Sequence, residues 1–242
     1  TYVEIFADPK DFAVRTFGMP DVAGFLGVCF GRVVTANSPA ALGGRATNWE
    51  AVLWHEFCHV VTLQMTKNKM PRWLSEGISV YEERQASRAW GMRINVEYRK
   101  MILDGDMAQI AGLSAAFLAP KSPRHLQFAY LQSSLVVEFI ILRHGIDTLR
   151  GVLRDLRGGI EINAALAKNV APLDTLEKEF AVYARESAEQ LAPKLNFEKP
   201  PAELMLATAN AIEVAAWEST HPDNSWLMMK RVRELTGKKN WA

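Results

Sequence analysis

His55-Glu56-Phe57-Cys58-His59, followed at a helix-turn-helix distance by Pro71-Arg72-Trp73-Leu74-Ser75-Glu76-Gly77, is the stretch whose reading decides the fold of this chain. Thr47-x-x-Glu50 just ahead has the form of a capping box, so a helix is expected to start there and run to about Met65. At 3.6 residues per turn, two imidazoles four residues apart leave the same helix face and can reach one metal ion. Glu56 lies between them, near where a water on that metal would sit. Lys67-Asn68-Lys69-Met70-Pro71 breaks this helix. A second, from about Arg72 to Trp90, then brings in Glu76 as a third ligand. Two His and one Glu leave the fourth tetrahedral position open, which is the pattern of a catalytic zinc. The cofactor expected is one Zn²⁺ per chain, held by His55, His59 and Glu76. A structural zinc would need a fourth protein ligand that this stretch does not offer. Two ordinary helix histidines are the competing reading, against which the cap, the apolar content and the second carboxylate all argue.

Working outward, the rest of the composition sets few constraints. At 242 residues the chain can bury one sizeable core plus an appendage, or two small domains. Apolar residues at 49% and charged residues at 23% are ordinary for a soluble globular protein. A net charge of +1 gives no electrostatic reason to expect nucleic acid or an anionic membrane. No apolar run approaches the roughly 18 residues that span a bilayer. The chain begins at Thr1 and reads as a trimmed or mature fragment, so the lack of a signal segment leaves the compartment open. Cys29 and Cys58 are too few and too far apart for a disulfide framework. The helix turns Cys58 about 60° from the direction of His55 and about 100° from that of His59. It therefore reads as a small buried hydrophobe, not a thiolate ligand.

Before the zinc helix, Thr1 to Ala7 reads as a strand and Asp8-Pro9-Lys10-Asp11 as a turn or helix start. Gly27 to Thr35 is a β-branched run that predicts one further strand, its glycines hinting at an edge or a close backbone approach. The zinc helix carries enough apolar surface to be expected largely buried. From Asn95 onward the pattern is helical: Val96 to Leu103, Ala108 to Leu118, Arg124 to His144, Leu149 to Leu156 and Ile162 to Lys168. Asp174-x-x-Glu177 is expected to cap a helix to about Leu191, and Ala202 to Glu218 and Ser225 to Leu235 follow a Pro-rich linker. The fold class expected is α+β, with a small N-terminal mixed sheet and a mainly helical C-terminal half. One domain would cover residues 1–192 (sheet region 1–46, zinc-site helices 47–90, helical half 91–192). Residues 193–242 would form a linker and helical hairpin, the possible start or end of a helical repeat.

His55-Glu56-Phe57-Cys58-His59 with Trp73-Leu74-Ser75-Glu76-Gly77-Ile78-Ser79-Val80-Tyr81 resembles the gluzincin metallopeptidases, the peptidase MA-like group related to thermolysin and the M1 aminopeptidases. The resemblance covers roughly residues 1–190 and implies a zincin-like fold acting on a peptide or protein substrate. It implies that Glu56 is the general base and that Tyr130, in Phe128-Ala129-Tyr130-Leu131-Gln132-Ser133, supplies the oxyanion donor. An ordinary half-buried helix tyrosine is the competing reading for Tyr130. The strand region at 27–36 is similar to the group's substrate-binding edge strand. Glu83, two turns after Glu76, and Asn48 are candidates to orient the ligand imidazoles. His125 can face a cleft but reads first as a capping residue, His144 offsets a helix dipole, and His221 sits in an exposed turn. Phe117, Leu118 and Phe128 are candidate pocket residues that core packing explains equally well. Two features depart from the group: there is no Gly-x-Met-Glu-Asn segment of the aminopeptidase kind, and Val80 stands where thermolysin-like members carry Asp. An endopeptidase is therefore expected ahead of an aminopeptidase. The alternative is a non-catalytic peptide-binding or scaffold module that keeps the fold and adjoins a helical repeat array.

Overall fold

The computed structural model describes residues 1–20, 25–42, 48–206 and 208–237. Thr47 of the expected capping box lies outside them. The chain forms two compact units, one of residues 1–93 and 105–185, the other of residues 94–104 and 186–242.

The first unit opens with strand β1 (Tyr2–Phe6) and helix α1 (Pro9–Phe17), started by the Asp8 side chain accepting from Lys10 N at 2.7 Å. The run expected as one strand is a hairpin, β2 (Gly27–Phe30) and β3 (Val33–Asn37). Gly31, at φ +68, takes the left-handed turn that a side chain would oppose. The sheet order is β1-β3-β2, with β1 parallel and β2 antiparallel to β3. Among the described residues β1 and β2 are the outer strands, because β3 is paired on both of its edges. Gly27 also fulfils the close-approach reading: a Cβ there would stand 2.9 Å from Glu56 Cγ and from Val52 Cγ1.

Helix α2 (Trp49–Thr66) carries the two histidines and is capped by Asn48, whose side chain accepts from Ala51 N at 3.2 Å. Helix α3 (Arg72–Ala86) is shorter than expected. Ser87 is extended there, and its hydroxyl offers Ala89 N a local bond in place of the next helical turn. Contrary to expectation α2 is only half covered: Trp54, Phe57 and Val61 are each more than 40% exposed. β2, β3, α3 and the later helix Ile146–Gly158 pack against it and leave these side chains open.

The second unit takes helix α4 (Val96–Leu103) from the middle of the chain. The first unit resumes with a single 3₁₀ turn, helix α5 (Leu113–Leu118) and helix α6 (Pro123–His144), capped by Ser122 and closed at Gly145. α6 has the length and hydropathy of a membrane span, yet Leu131, Val136, Val137 and Ile140 on it are fully buried and it packs across α3. It is the core helix of this unit. Gly77 permits that crossing, since a Cβ there would lie 2.6 Å from Ser133 O. Helices α7 (Ile146–Gly158), α8 (Ile162–Asn169) and α9 (Leu173–Glu189) follow. Asp174 lies inside the first turn of α9 and does not cap it, which still suits the positive end of the helix dipole.

In the second unit the helix expected over 202–218 is a 3₁₀ turn (Ala202–Met205) and helix α10 (Ala211–Thr220). Asn210 starts α10 by accepting from Ile212 N. Helix α11 (Ser225–Gly237) follows. The buried Asn224 side chain joins this hairpin to the preceding segment, donating to Glu198 O at 2.8 Å and accepting from Trp226 N at 2.9 Å. The Arg99 guanidinium of α4 lies 4.0 Å from the Phe197 ring centre.

Candidate metal centre

α2 and α3 cross with their polar stripes facing each other. His55 and His59 leave α2 one turn apart, their rings 4.7 Å between centroids. Their Nε2 atoms lie 3.2 and 3.4 Å from the same oxygen, Glu76 Oε2. The three atoms that could hold a metal fall within 4.8 Å of one another. Zinc bound at about 2.0–2.1 Å in a tetrahedron sets its ligand atoms about 3.3–3.4 Å apart. The two His–Glu spacings already match that figure, so the donor set fits the metal in both chemistry and size.

α3 also fixes the rings. Positions 75, 76, 79 and 83 share one helix face. Glu83 takes Nδ1 of His55, while Ser75 Oγ and Ser79 Oγ lie 2.7 and 3.3 Å from Nδ1 of His59. Ser79 Oγ also donates to His55 O at 3.2 Å. With both Nδ1 atoms engaged, both Nε2 atoms are turned toward Glu76 Oε2. Val80 is a core residue at 3% exposure, and the carboxylate absent there is supplied by Glu83. Asn48, the other candidate for orienting a ring, is spent on the helix cap.

Burial alone would lower the pKa of His55, but the Glu76 and Glu83 carboxylates on its two nitrogens outweigh it and push the imidazole up to about 10. Burial would raise Glu76, yet its hydrogen bonds to both imidazoles hold it well below the usual carboxylate range. Glu56, 7% exposed beneath Gly27, is pushed up by burial against the pull of the two histidines. Burial and nearby carboxylates raise the Cys29 thiol to about 11 and the Cys58 thiol to about 12, so neither is a thiolate near neutral pH.

The structure places Tyr130 on the Glu76 side of the centre, through a residue the sequence reading passed over. Arg72 donates from Nε to Glu76 Oε1 at 3.3 Å and from Nη2 to the Tyr130 phenol oxygen at 2.8 Å. Its i,i+4 spacing to Glu76 was the available signal. Burial and the Glu76 charge raise the phenol pKa, with Arg72 opposing them. Ser75 and Ser79 were also passed over, although they share the ligand face of α3. On the other side, a cavity of about 410 Å³ adjoins His55 and Glu56 and is walled by Leu26, Gly27, Val52 and Trp90.

The remaining candidates lie apart from this cluster. His125 is held by Ser122 Oγ at 2.7 Å and Asp106 Oδ2 at 2.9 Å. His144 packs on Phe139 with Nε2 buried and unpaired. His221 is not simply exposed: it stacks on Trp217 at 4.1 Å, with Nδ1 2.9 Å from Trp217 O. Phe117, Leu118 and Phe128 do not line one pocket, because Leu118 is 82% exposed and Phe117 is buried against Tyr130. Phe128 lines a separate cavity of about 240 Å³.

The three-stranded mixed sheet, the crossed α2–α3 pair and the His-His-Glu cluster define an α+β metallopeptidase-like domain. The chain belongs to the peptidase MA superfamily, whose family profile matches residues 29–185. No curated protein and no solved structure matches it.

Proposed function

We propose that this chain is a zinc-dependent peptidase that cuts within extended peptides. The observation that carries the reading is the convergence of His55 Nε2 and His59 Nε2 on one oxygen of Glu76, with Glu56 buried alongside. Zinc held by His55, His59 and Glu76 would supply Lewis-acid chemistry, polarising the scissile carbonyl and acidifying water. Glu56 is the general base. It accepts the proton of the attacking water and delivers it to the leaving amine, a task suited to a carboxylate whose affinity for a proton burial has raised. Tyr130 donates a hydrogen bond to the oxyanion that develops on the carbonyl.

Glu56 lies against the face of β2 at Gly27 and β2 ends the sheet on that side, so a peptide paired to β2 as a further strand would run beside the centre. Residues 33–36 play no part in that pairing, because β3 is flanked on both sides. An open strand edge takes main chain of any length. Together with the absence of a segment for holding a free amino terminus, this favours internal cleavage.

Glu56→Gln tests the reading. The variant should keep its zinc and its fold while cleavage of a quenched-fluorescent peptide library falls by about 10²–10⁴-fold. A wild-type chain that binds zinc and peptide but cuts nothing would overturn it in favour of a non-catalytic peptide-binding module. Full activity in Glu56→Gln would remove Glu56 from the mechanism.

A further inference from the structure

Arg72 opens α3 one turn ahead of Glu76, and its half-exposed guanidinium lies 5.5 Å from the Phe117 ring centre. It bonds two groups of the site at once, Glu76 Oε1 at 3.3 Å and the Tyr130 phenol oxygen at 2.8 Å. The direction of those bonds matters. Guanidinium has donors and no acceptor, so the phenol oxygen must accept. Its own hydrogen is not consumed, and among the described residues Tyr130 makes no second hydrogen bond. Glu76 is likewise divided, with Oε1 on the cation and Oε2 alone facing the two imidazoles. An ordinary i,i+4 pair on a helix surface would touch neither the ligand oxygens nor a residue 58 positions away.

We propose that Arg72 is a positioning residue that ties the third metal ligand to the oxyanion donor. It holds Glu76 by Oε1 and Tyr130 by its phenol oxygen, so that one carboxylate oxygen is left for the metal and the phenolic hydrogen is left for the oxyanion. This rests on the peptidase reading given above. The rigid fork of Arg spans both partners, whereas the point charge of Lys reaches one at a time.

The test uses the zinc-loaded full chain with Arg72→Ala, Arg72→Lys, Tyr130→Phe and the Ala/Phe double variant. Circular dichroism and metal content confirm folding, and Arg72→Lys stands in if Arg72→Ala does not fold. Values of kcat and KM are measured on one quenched-fluorescent peptide that the wild type cuts, and absorption spectra are taken of the cobalt-substituted proteins. Tyr130→Phe and Arg72→Ala are each expected to lower kcat about 100-fold with little change in KM. The double variant should fall no further than the worse single one, because both remove the same donor. Arg72→Lys should recover only part of the loss. The cobalt spectrum should shift in Arg72→Ala and not in Tyr130→Phe. Losses that multiply in the double variant, a loss confined to KM, or an unshifted cobalt spectrum would overturn the proposal. If the wild type cuts no peptide, the peptidase reading fails and the oxyanion half of this proposal fails with it. The cobalt spectrum then decides the ligand half alone.

Discussion

His55 on α2 and His125 on α6 each have both ring nitrogens engaged. His55 stands between Glu83 and Glu76, His125 between Ser122 and Asp106. Read one residue at a time, the two look alike: a helix imidazole with a carboxylate from another segment. They differ in what else arrives. At His55 a second imidazole follows one turn later, and both Nε2 atoms meet one carboxylate oxygen in a site whose side chains are no more than 17% exposed. At His125 the carboxylate is already paired with Lys121 at 2.8 Å, no second imidazole follows, and the group is about 30% exposed. Pairing a histidine is common; aiming three donors at one point while other atoms hold their far sides is what makes a centre.

The largest test of that contrast is metal content. Wild-type chain should carry about one zinc by elemental analysis. His59→Ala should lose it and His125→Ala should keep it. Loss in both variants would mean that the fold, and not the convergence of donors, governs metal retention.

Next in size is the ring-holding carboxylate on each side. Glu83→Gln keeps the shape but weakens the grip on His55 Nδ1, and zinc affinity measured by chelator competition should fall about 10–100-fold. Asp106→Asn should not change it. Equal affinities in the two variants would show that the His55–Glu83 bond does nothing for the metal.

Much of this contrast was legible in the sequence, because i,i+4 spacing on one helix is local geometry. His55, His59 and Glu76 needed only the helix period and one break at Pro71. Glu83 was visible only as a residue on the same face. Its pairing with one ring, and that of Ser75 and Ser79 with the other, depends on how α2 and α3 are rotated, which no local pattern encodes. The hairpin at Gly31 was missed because a continuous β-branched run looks the same whether or not it folds back. The open face of α2 was missed for a related reason: composition records that Trp54 and Phe57 are apolar, not whether the neighbouring elements are enough to cover them.

Packing separates the two regions again through their glycines. Gly77→Ala puts a methyl 2.6 Å from Ser133 O, where α3 crosses α6 under the centre, and backbone has little room to yield. Destabilisation of about 1–3 kcal/mol by denaturant unfolding is expected. Gly112→Ala, beside the His125 cavity, meets nothing within 4 Å at a negative φ. It should be neutral or slightly stabilising. If both variants are neutral, α3 and α6 do not need their close crossing.

The smallest effect is on acid stability at the exposed side of the contrast. Lys121 holds the Asp106 carboxyl below its usual range, with His125 adding to the effect. A carboxyl whose pKa is lowered by folding contributes stability above its unfolded value near 4 and loses it as pH falls through the folded value. Comparing wild type with Asp106→Asn, the difference in unfolding free energy should be no more than about 0.5 kcal/mol at pH 7, because the pair is solvent-screened. It should shrink below about pH 4 and fade in about 1 M salt at any pH. A difference that survives high salt would mean that Asp106 acts through a geometry solvent cannot screen, and that the His125 cluster is closer in kind to the His55 centre than its exposure suggests.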